Sequence, residues 1–263
     1  MRREVQGAIL LVMGVVFAHL VLSGAYLNYV KGSLLVPLIG TTLVLLTLGA
    51  LSLVRDHEDE LVDVEPGAGE FPACEVAATD PREADAHGHD HSHAPRIGLL
   101  MLAPLLCLLL IAPAPLGSYA AERGGSNRLS EPQVELGELP PADEQGAVPL
   151  TLADTVVRSL FDADGPMTGT PVRLVGFVAE DDALAGYRLS RFSVACCAAD
   201  ATVRQVVISG GRTDLGEDTW VEVVARFDGH VQRPDGEPDS TGLPVLEVLS
   251  EEVIDPPRSP YEY

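Results

Sequence analysis

"GAILLVMGVVFAHLVLSGA", residues Gly7–Ala25, is followed after a short connection by "SLLVPLIGTTLVLLTLGALSLV", residues Ser33–Val54. Both runs are apolar almost throughout, interrupted in the first by the neutral imidazole of His19. Each comes close to the roughly 20 residues that carry a helix across a bilayer. Both are too evenly apolar for the one-sided stripe of a helix on a soluble core. The basic start "MRRE" fits the n-region of a signal peptide, but a second apolar run arriving so soon makes an uncleaved hairpin the better reading. A third run, "IGLLMLAPLLCLLLIAPAPLG", residues Ile97–Gly117, carries Pro104, Pro113 and Pro115. It reads as a third span, with a re-entrant or interfacial segment as the alternative.

A positive mean hydropathy beside a net charge of −22 means that apolar and acidic residues are segregated along the chain. The few basic residues near the apolar runs set the orientation. Arg2 and Arg3 precede the first run, Arg55 follows the second and Arg96 precedes the third, whereas Lys31 alone lies in the first connection. Positive residues stay on the cytoplasmic side, so the N-terminus and residues 55–96 are expected inside and residues 118–263 outside. Arg123 and Arg128 weaken this bias without reversing it. The soluble parts are acidic and would be repelled by phosphate, which argues against a nucleic-acid partner.

Residues 1–54 therefore read as a two-span hairpin embedded in the lipid bilayer, and 97–117 as the third span of a multi-pass protein of the cell membrane. The loop 55–96 is acidic, rich in Ala, Pro and Gly, and has no apolar periodicity, so it cannot bury enough surface to fold alone. Residues 118–149 read as a second linker. In "TLADTVVRSLF", Leu152, Val156 and Leu160 recur every four residues, and Thr151 with Asp154 occupies the N-cap and capping-box positions, so a short amphipathic helix is expected. Five runs follow: "PVRLVGFVA", "GYRLSRFSVACC", "VRQVVISG", "DTWVEVVARFDG" and "LPVLEVLSEEVI". They are rich in β-branched and aromatic residues and separated by Gly, Asp and Pro. Five strands and one helix over residues 150–255 point to a small all-β domain, an OB-like barrel or an antiparallel sandwich, with 256–263 as a tail.

Two constellations carry possible chemistry. Cys196 and Cys197 stand side by side in "RFSVACCAADA", although the chain has only 4 cysteines. Neighbouring residues of a strand point to opposite faces, so the pair can serve one site only where the strand ends or bulges. A vicinal disulfide strains the peptide between its cysteines. The pair reads either as packed small residues or, with Asp200, as thiolate and carboxylate ligands for zinc or another borderline divalent cation. His230 would complete the set only if the fold brought it across. The second constellation is "HGHDHSH", where His87, His89, His91 and His93 flank Asp90 in the cytoplasmic loop that also holds Cys74. Alternating imidazoles on a flexible chain can wrap a metal ion, and low-complexity composition is the plain alternative. Cys107, in the third run, reads as packing.

Catalytic signatures are missing: the sequence has no G-x-S-x-G, no phosphate-binding glycine loop and no H-E-x-x-H. The acidic "AEDDA", Ala179–Ala183, reads as a solvated hairpin tip. No enzymatic activity is expected.

The apolar runs, "PAPLGSYAAERG" after the third of them, the "GFV" strand, "RFSVACCAADA" and the terminal "PPRSPYEY" together resemble the YcgQ-like family of bacterial membrane proteins. The matching positions of the most specific element are Arg191, Phe192, Cys196, Cys197, Asp200 and Ala201. The resemblance implies a small subunit of a two-component permease, with a larger multi-span permease as partner. The expectation is thus a non-enzymatic accessory subunit whose extracytoplasmic domain binds a ligand or metal. The alternative is an anchored extracytoplasmic thiol redox or metal-binding protein that acts without a permease.

Overall fold

The computed structural model describes residues 3–61, 103–104, 107, 114–124, 127–129, 136–162, 165–179, 186–232 and 241–263. Most of the third apolar run, the four-His loop with Cys74, and Glu180–Ala183 of the acidic tip lie outside these residues. The chain divides into two compact units, one of Met1–Ser23 with Val36–Ala112 and one of Gly24–Leu35 with Pro113–Tyr263.

The first unit contains α1 (Arg3–Ser23) and α2 (Leu35–Leu61). Both are long and apolar enough to cross a membrane. Pro37 falls in the first turn of α2, where a missing N–H leaves no helical bond unmade. The hydroxyls of Thr41, Thr42 and Thr47 donate to the carbonyls of Pro37, Leu38 and Leu43 at 2.9, 2.7 and 2.9 Å, which leaves these polar groups satisfied within an apolar setting. Small residues let the two helices approach closely. A Cβ on Gly49 would come within 2.9 Å of the Leu11 backbone nitrogen, and one on Gly7 within 3.0 Å of Ser52. Val15, Leu43 and Leu48 remain exposed, a surface suited to lipid.

The second unit carries α3 (Ser118–Gly124), β1 (Asn127–Arg128), β2 (Val148–Pro149), α4 (Leu152–Phe161), β3 (Pro171–Ala179), β4 (Gly186–Ser193), β5 (Thr202–Ser209), β6 (Trp220–Gln232) and β7 (Thr241–Val253). These strands form a seven-stranded mixed sheet. The pairings run from β3 to β4, β5, β7 and β6, and β6 returns to β3. Within that circuit only β5 and β7 run parallel. Each of the five runs read from the sequence supplies one of these strands. The helix expected at "LADTVVRSLF" is α4, and the Thr151 side chain accepts from the Asp154 amide at 2.9 Å.

Residues 118–149, expected as linker, instead contribute α3, β1 and β2. β2 pairs with β3, and β1 is held by a single buried amide. Beside the short β5–β7 pairing, Asn127 donates to the carbonyls of Gln205 at 2.6 Å and Gly242 at 3.0 Å, and accepts from the Gln205 amide at 3.0 Å. Its side chain thus stands in for a peptide unit between the strands. Asp218 fastens α3 by accepting from the Ser118 amide at 2.6 Å.

Strand alternation sorts the apolar residues into two clusters. Val172, Leu174 and Val178 of β3 join Leu189, Val206, Val223 and Phe227 around Leu152, Val156 and Leu160 of α4. Phe177, on the other face of β3, joins Phe192, Val203, Trp220, Ala121 and Tyr261. There Phe177 lies 6.1 Å from the Phe192 ring and meets Trp220 edge-on at 5.7 Å. Removing such a ring leaves a cavity, so Phe177→Ala should destabilise the domain by about 3–5 kcal/mol. Trp220 is the single tryptophan of the chain, and its fluorescence during denaturant unfolding of the full-length protein measures this change directly.

Candidate functional site

β4 ends at Ser193, three residues before the cysteine pair. The alternation that would set Cys196 and Cys197 on opposite faces therefore stops short of them. The chain bends instead, and a 3-10 turn, Ala198–Asp200, follows with Cys197 at its N-cap and Asp200 completing a capping box. Asp200 makes the bend. One carboxylate oxygen, Oδ1, accepts from the Ala195 amide at 2.7 Å, and the other, Oδ2, accepts from the amides of Cys196 and Cys197 at 2.9 and 3.0 Å.

The same Oδ2 accepts from the Cys196 thiol at 2.9 Å, and the two sulfurs lie 3.7 Å apart. Both thiols are free, Cys196 exposed and Cys197 half-buried. The hydrogen bond to Asp200 pushes the Cys196 thiol up to about 11, with Cys197 as the next contributor. The thiol and the three amides hold the Asp200 carboxyl well below the usual carboxylate range. Because that value is depressed, the ionised carboxylate supports the turn above the ordinary range near 3.9, and the support is lost only as the pH falls below it.

One ligand atom from each of Cys196, Cys197 and Asp200 lies within 4.8 Å of the others. Tetrahedral zinc with bonds of about 2.3 Å to sulfur separates two thiolates by about 3.8 Å, so the sulfur pair already stands at a metal-binding spacing. His230 lies on the exposed part of β6, its amide donating to Asp228 at 3.0 Å, and is not grouped with these three. His87, His89, His91 and His93 fall outside the described residues.

The remaining motif residues build the support. Phe192 is buried in the aromatic cluster. Ala201 caps the 3-10 turn in extended conformation. Arg191 stands over the Trp220 ring at 5.5 Å and donates to the carbonyls of Val175 and Ser259 at 3.2 and 3.0 Å, which ties the C-terminal tail to β3 and β4.

Sequence reasoning passed over two further groups. The tail enters the fold at Glu262, whose amide donates to the Phe192 carbonyl at 2.9 Å while its carbonyl accepts from Val194 at 3.0 Å. The Glu262 carboxylate is buried, accepts from the amides of Leu152 and Ala153 at 2.9 and 3.1 Å, and lies 3.9 Å from Arg191. Burial pushes it above its ordinary range, against the pull of those amides and of Arg191. The other group is the connection Gly24–Leu35, which belongs to this unit. Lys31 N–H donates to the Cys196 carbonyl at 3.0 Å, Ala198 N–H donates to the Tyr29 carbonyl at 2.7 Å, and Val30 faces Cys197 in an isolated antiparallel bridge. The Tyr261 hydroxyl accepts from the Leu116 amide at 3.2 Å and donates to the Asn28 carbonyl at 3.0 Å. The only advance signal was the aromatic, charged ending "PYEY", which has the composition of a packed segment rather than a free tail.

Residues 155–263 match the family model described as the DUF1980 C-terminal domain. The match begins within α4 and takes in β3 to β7, the cysteine turn and the tail, leaving α1 and α2 outside. No curated protein and no solved structure matches the chain.

Selective 15N-cysteine labelling isolates the amides of the turn, because the chain has only 4 cysteines. In a pH titration of the full-length protein in detergent, the Cys196 and Cys197 amides should stay unshifted through the ordinary carboxylate range near 3.9 and move only at lower pH. Asp200→Asn should abolish that low-pH step. Amides that titrate near the ordinary value would show that the carboxylate is not bonded as described.

Proposed function

We propose that the chain is a membrane-anchored, non-enzymatic accessory subunit of a permease, and that its exported domain holds a divalent cation such as zinc through Cys196, Cys197 and Asp200. The observation that carries the cation reading is the set of three ligand atoms within 4.8 Å on an accessible turn, with sulfurs 3.7 Å apart. Two thiolates and a carboxylate suit a borderline ion and leave one position of a tetrahedron open. The circuit β3–β4–β5–β7–β6, parallel only where β5 meets β7, supports reading the domain as an OB-like barrel.

The topology reading rests on continuity of the chain. Gly24–Leu35 and Pro113–Tyr263 share one compact unit, which supports reading the first connection and the domain as lying on the same side of the membrane. If α1 and α2 both cross, Leu61 ends on the opposite side, and the chain has to cross once more before Pro113. The apolar run 97–117 is read as that third span, and the distribution of Arg2, Arg3, Arg55 and Arg96 supports an N-terminus inside. Neither Gln6–Ser23 nor Gly32–Val54 contains a charged residue. Spans of this kind offer no ion path of their own, which supports a multi-span companion and agrees with the YcgQ-like resemblance. A free-standing thiol redox protein is the competing reading, based on the paired free thiols.

Reporter fusions truncated after Glu60 and after Asp143 test the topology: an export-dependent reporter should be silent at the first and active at the second, and the reverse result would overturn it. Full-length protein purified in mild detergent should carry one zinc per chain by elemental analysis. Cys196→Ser and Cys197→Ser should each lose at least about tenfold in affinity, the loss that follows even when only a partner supporting a ligand is removed. A multi-span protein should copurify in fixed ratio. Metal-free protein with both thiols freely titratable would end the cation reading, and purification without a companion would end the permease reading.

A further inference from the structure

We propose that cation binding at Cys196, Cys197 and Asp200 is coupled, through the single peptide unit between the two cysteines, to the connection that joins α1 to α2. The inference rests on the cation reading of the same turn. A peptide unit is planar, so its carbonyl and its N–H move together. In the unit between Cys196 and Cys197, the Cys197 N–H is held by Asp200 Oδ2 at 3.0 Å. The Cys196 carbonyl is held by the Lys31 N–H at 3.0 Å. One rigid plane is therefore bonded to the ligand carboxylate at one edge and to the inter-helix connection at the other.

The metal geometry says which way the plane is pulled. Bonds of about 2.3 Å to sulfur and about 2.0 Å to oxygen at tetrahedral angles require a sulfur-to-oxygen separation of about 3.5 Å. The Cys196 sulfur and Asp200 Oδ2 stand at 2.9 Å, because a thiol proton lies between them. The cation takes the place of that proton; the Cys196 proton and the Cys197 thiol proton both leave for solvent as the two sulfurs become thiolate ligands, and no oxidant or reductant is needed. The sulfur pair needs almost no adjustment, so the change of about 0.6 Å falls between the Cys196 sulfur and the carboxylate that holds the turn. Asp200 cannot move without disturbing the Cys197 N–H, and the peptide plane carries that disturbance to Lys31. The Ala198 bond to the Tyr29 carbonyl, at 2.7 Å, makes a second attachment one residue further on.

Lys31 itself provides a clean test. Its φ of −59 suits proline, and Val30 before it sits in a bridge, the extended conformation that a following proline favours. Lys31→Pro removes the N–H to Cys196 with the backbone path unchanged. Lys31→Ala keeps the N–H and removes only the side chain, whose ammonium lies 5.2 Å from the Tyr263 ring centre. In full-length protein in detergent, hydrogen exchange at the Lys31 amide should change by at least about fivefold between zinc and chelator. By reciprocity, zinc affinity should shift by at least about fivefold in Lys31→Pro and stay at the wild-type value in Lys31→Ala. Zinc bound at full stoichiometry, with Lys31 exchange unaltered and both variants at wild-type affinity, would overturn the coupling and leave the cation site standing. Wild-type protein that binds no zinc would overturn both.

Discussion

The carboxylate of Glu262 is the constraint on which the second unit turns. Buried ionisable groups persist only where partners repay their lost hydration. Glu262 finds partners on separate elements: the first amides of α4 and the guanidinium of Arg191 on β4. It also answers an awkward pairing. Arg191 and Arg204 stand directly opposite each other on β4 and β5, where like charges repel, and both feel the Glu262 charge. The carboxylate thus fixes the tail, the start of the helix and the end of the strand that leads into the cysteine turn. Arg191 and Phe192 matter to the cysteines through this framework and do not touch them as ligands.

Asp200 has the corresponding role in the layer outside this framework. The carboxylate gathers four donors, with one amide on Oδ1 and two amides and the Cys196 thiol on Oδ2. The amides of Ala195, Cys196 and Cys197 are all bonded to this one side chain, so the cysteines are held in place by the fold. An arrangement of this kind explains the spacing Cys-Cys-x-x-Asp without any ion, since the aspartate must reach back across one turn to find the amides. It also leaves the sulfurs near each other and near a carboxylate, which is the condition for sharing an ion.

Local pattern was legible where local physics decided the outcome. The four-residue recurrence of Leu152, Val156 and Leu160, capped by Thr151, was enough to read α4 within its observed bounds. Five β-branched runs were enough to read five strands, and the evenly apolar first runs were enough to read two membrane-length helices. The adjacency of the cysteines required a strand end, and β4 stops three residues short of them. What was not legible depends on partners far apart in sequence. Asn127 looks like any polar linker residue until β5 and β7 part beside it. Lys31 and Tyr29 contribute only backbone atoms to the turn, and backbone atoms leave no mark on a sequence.

The bond between Tyr261 and Asn28 joins residues 233 positions apart. A contact of that span has a bearing on the order of assembly. Helical hairpins form from neighbouring residues, whereas closing so long a loop is entropically costly and slow. The connection between α1 and α2 is made early in synthesis, whereas the cysteine turn and the tail that bond to its peptide groups are made much later. Until they are made, the backbone groups of Asn28, Tyr29 and Lys31 have to bond to water instead. A chain stopped before Cys196 would therefore lack every partner that the turn and the tail give these peptide groups in the finished fold.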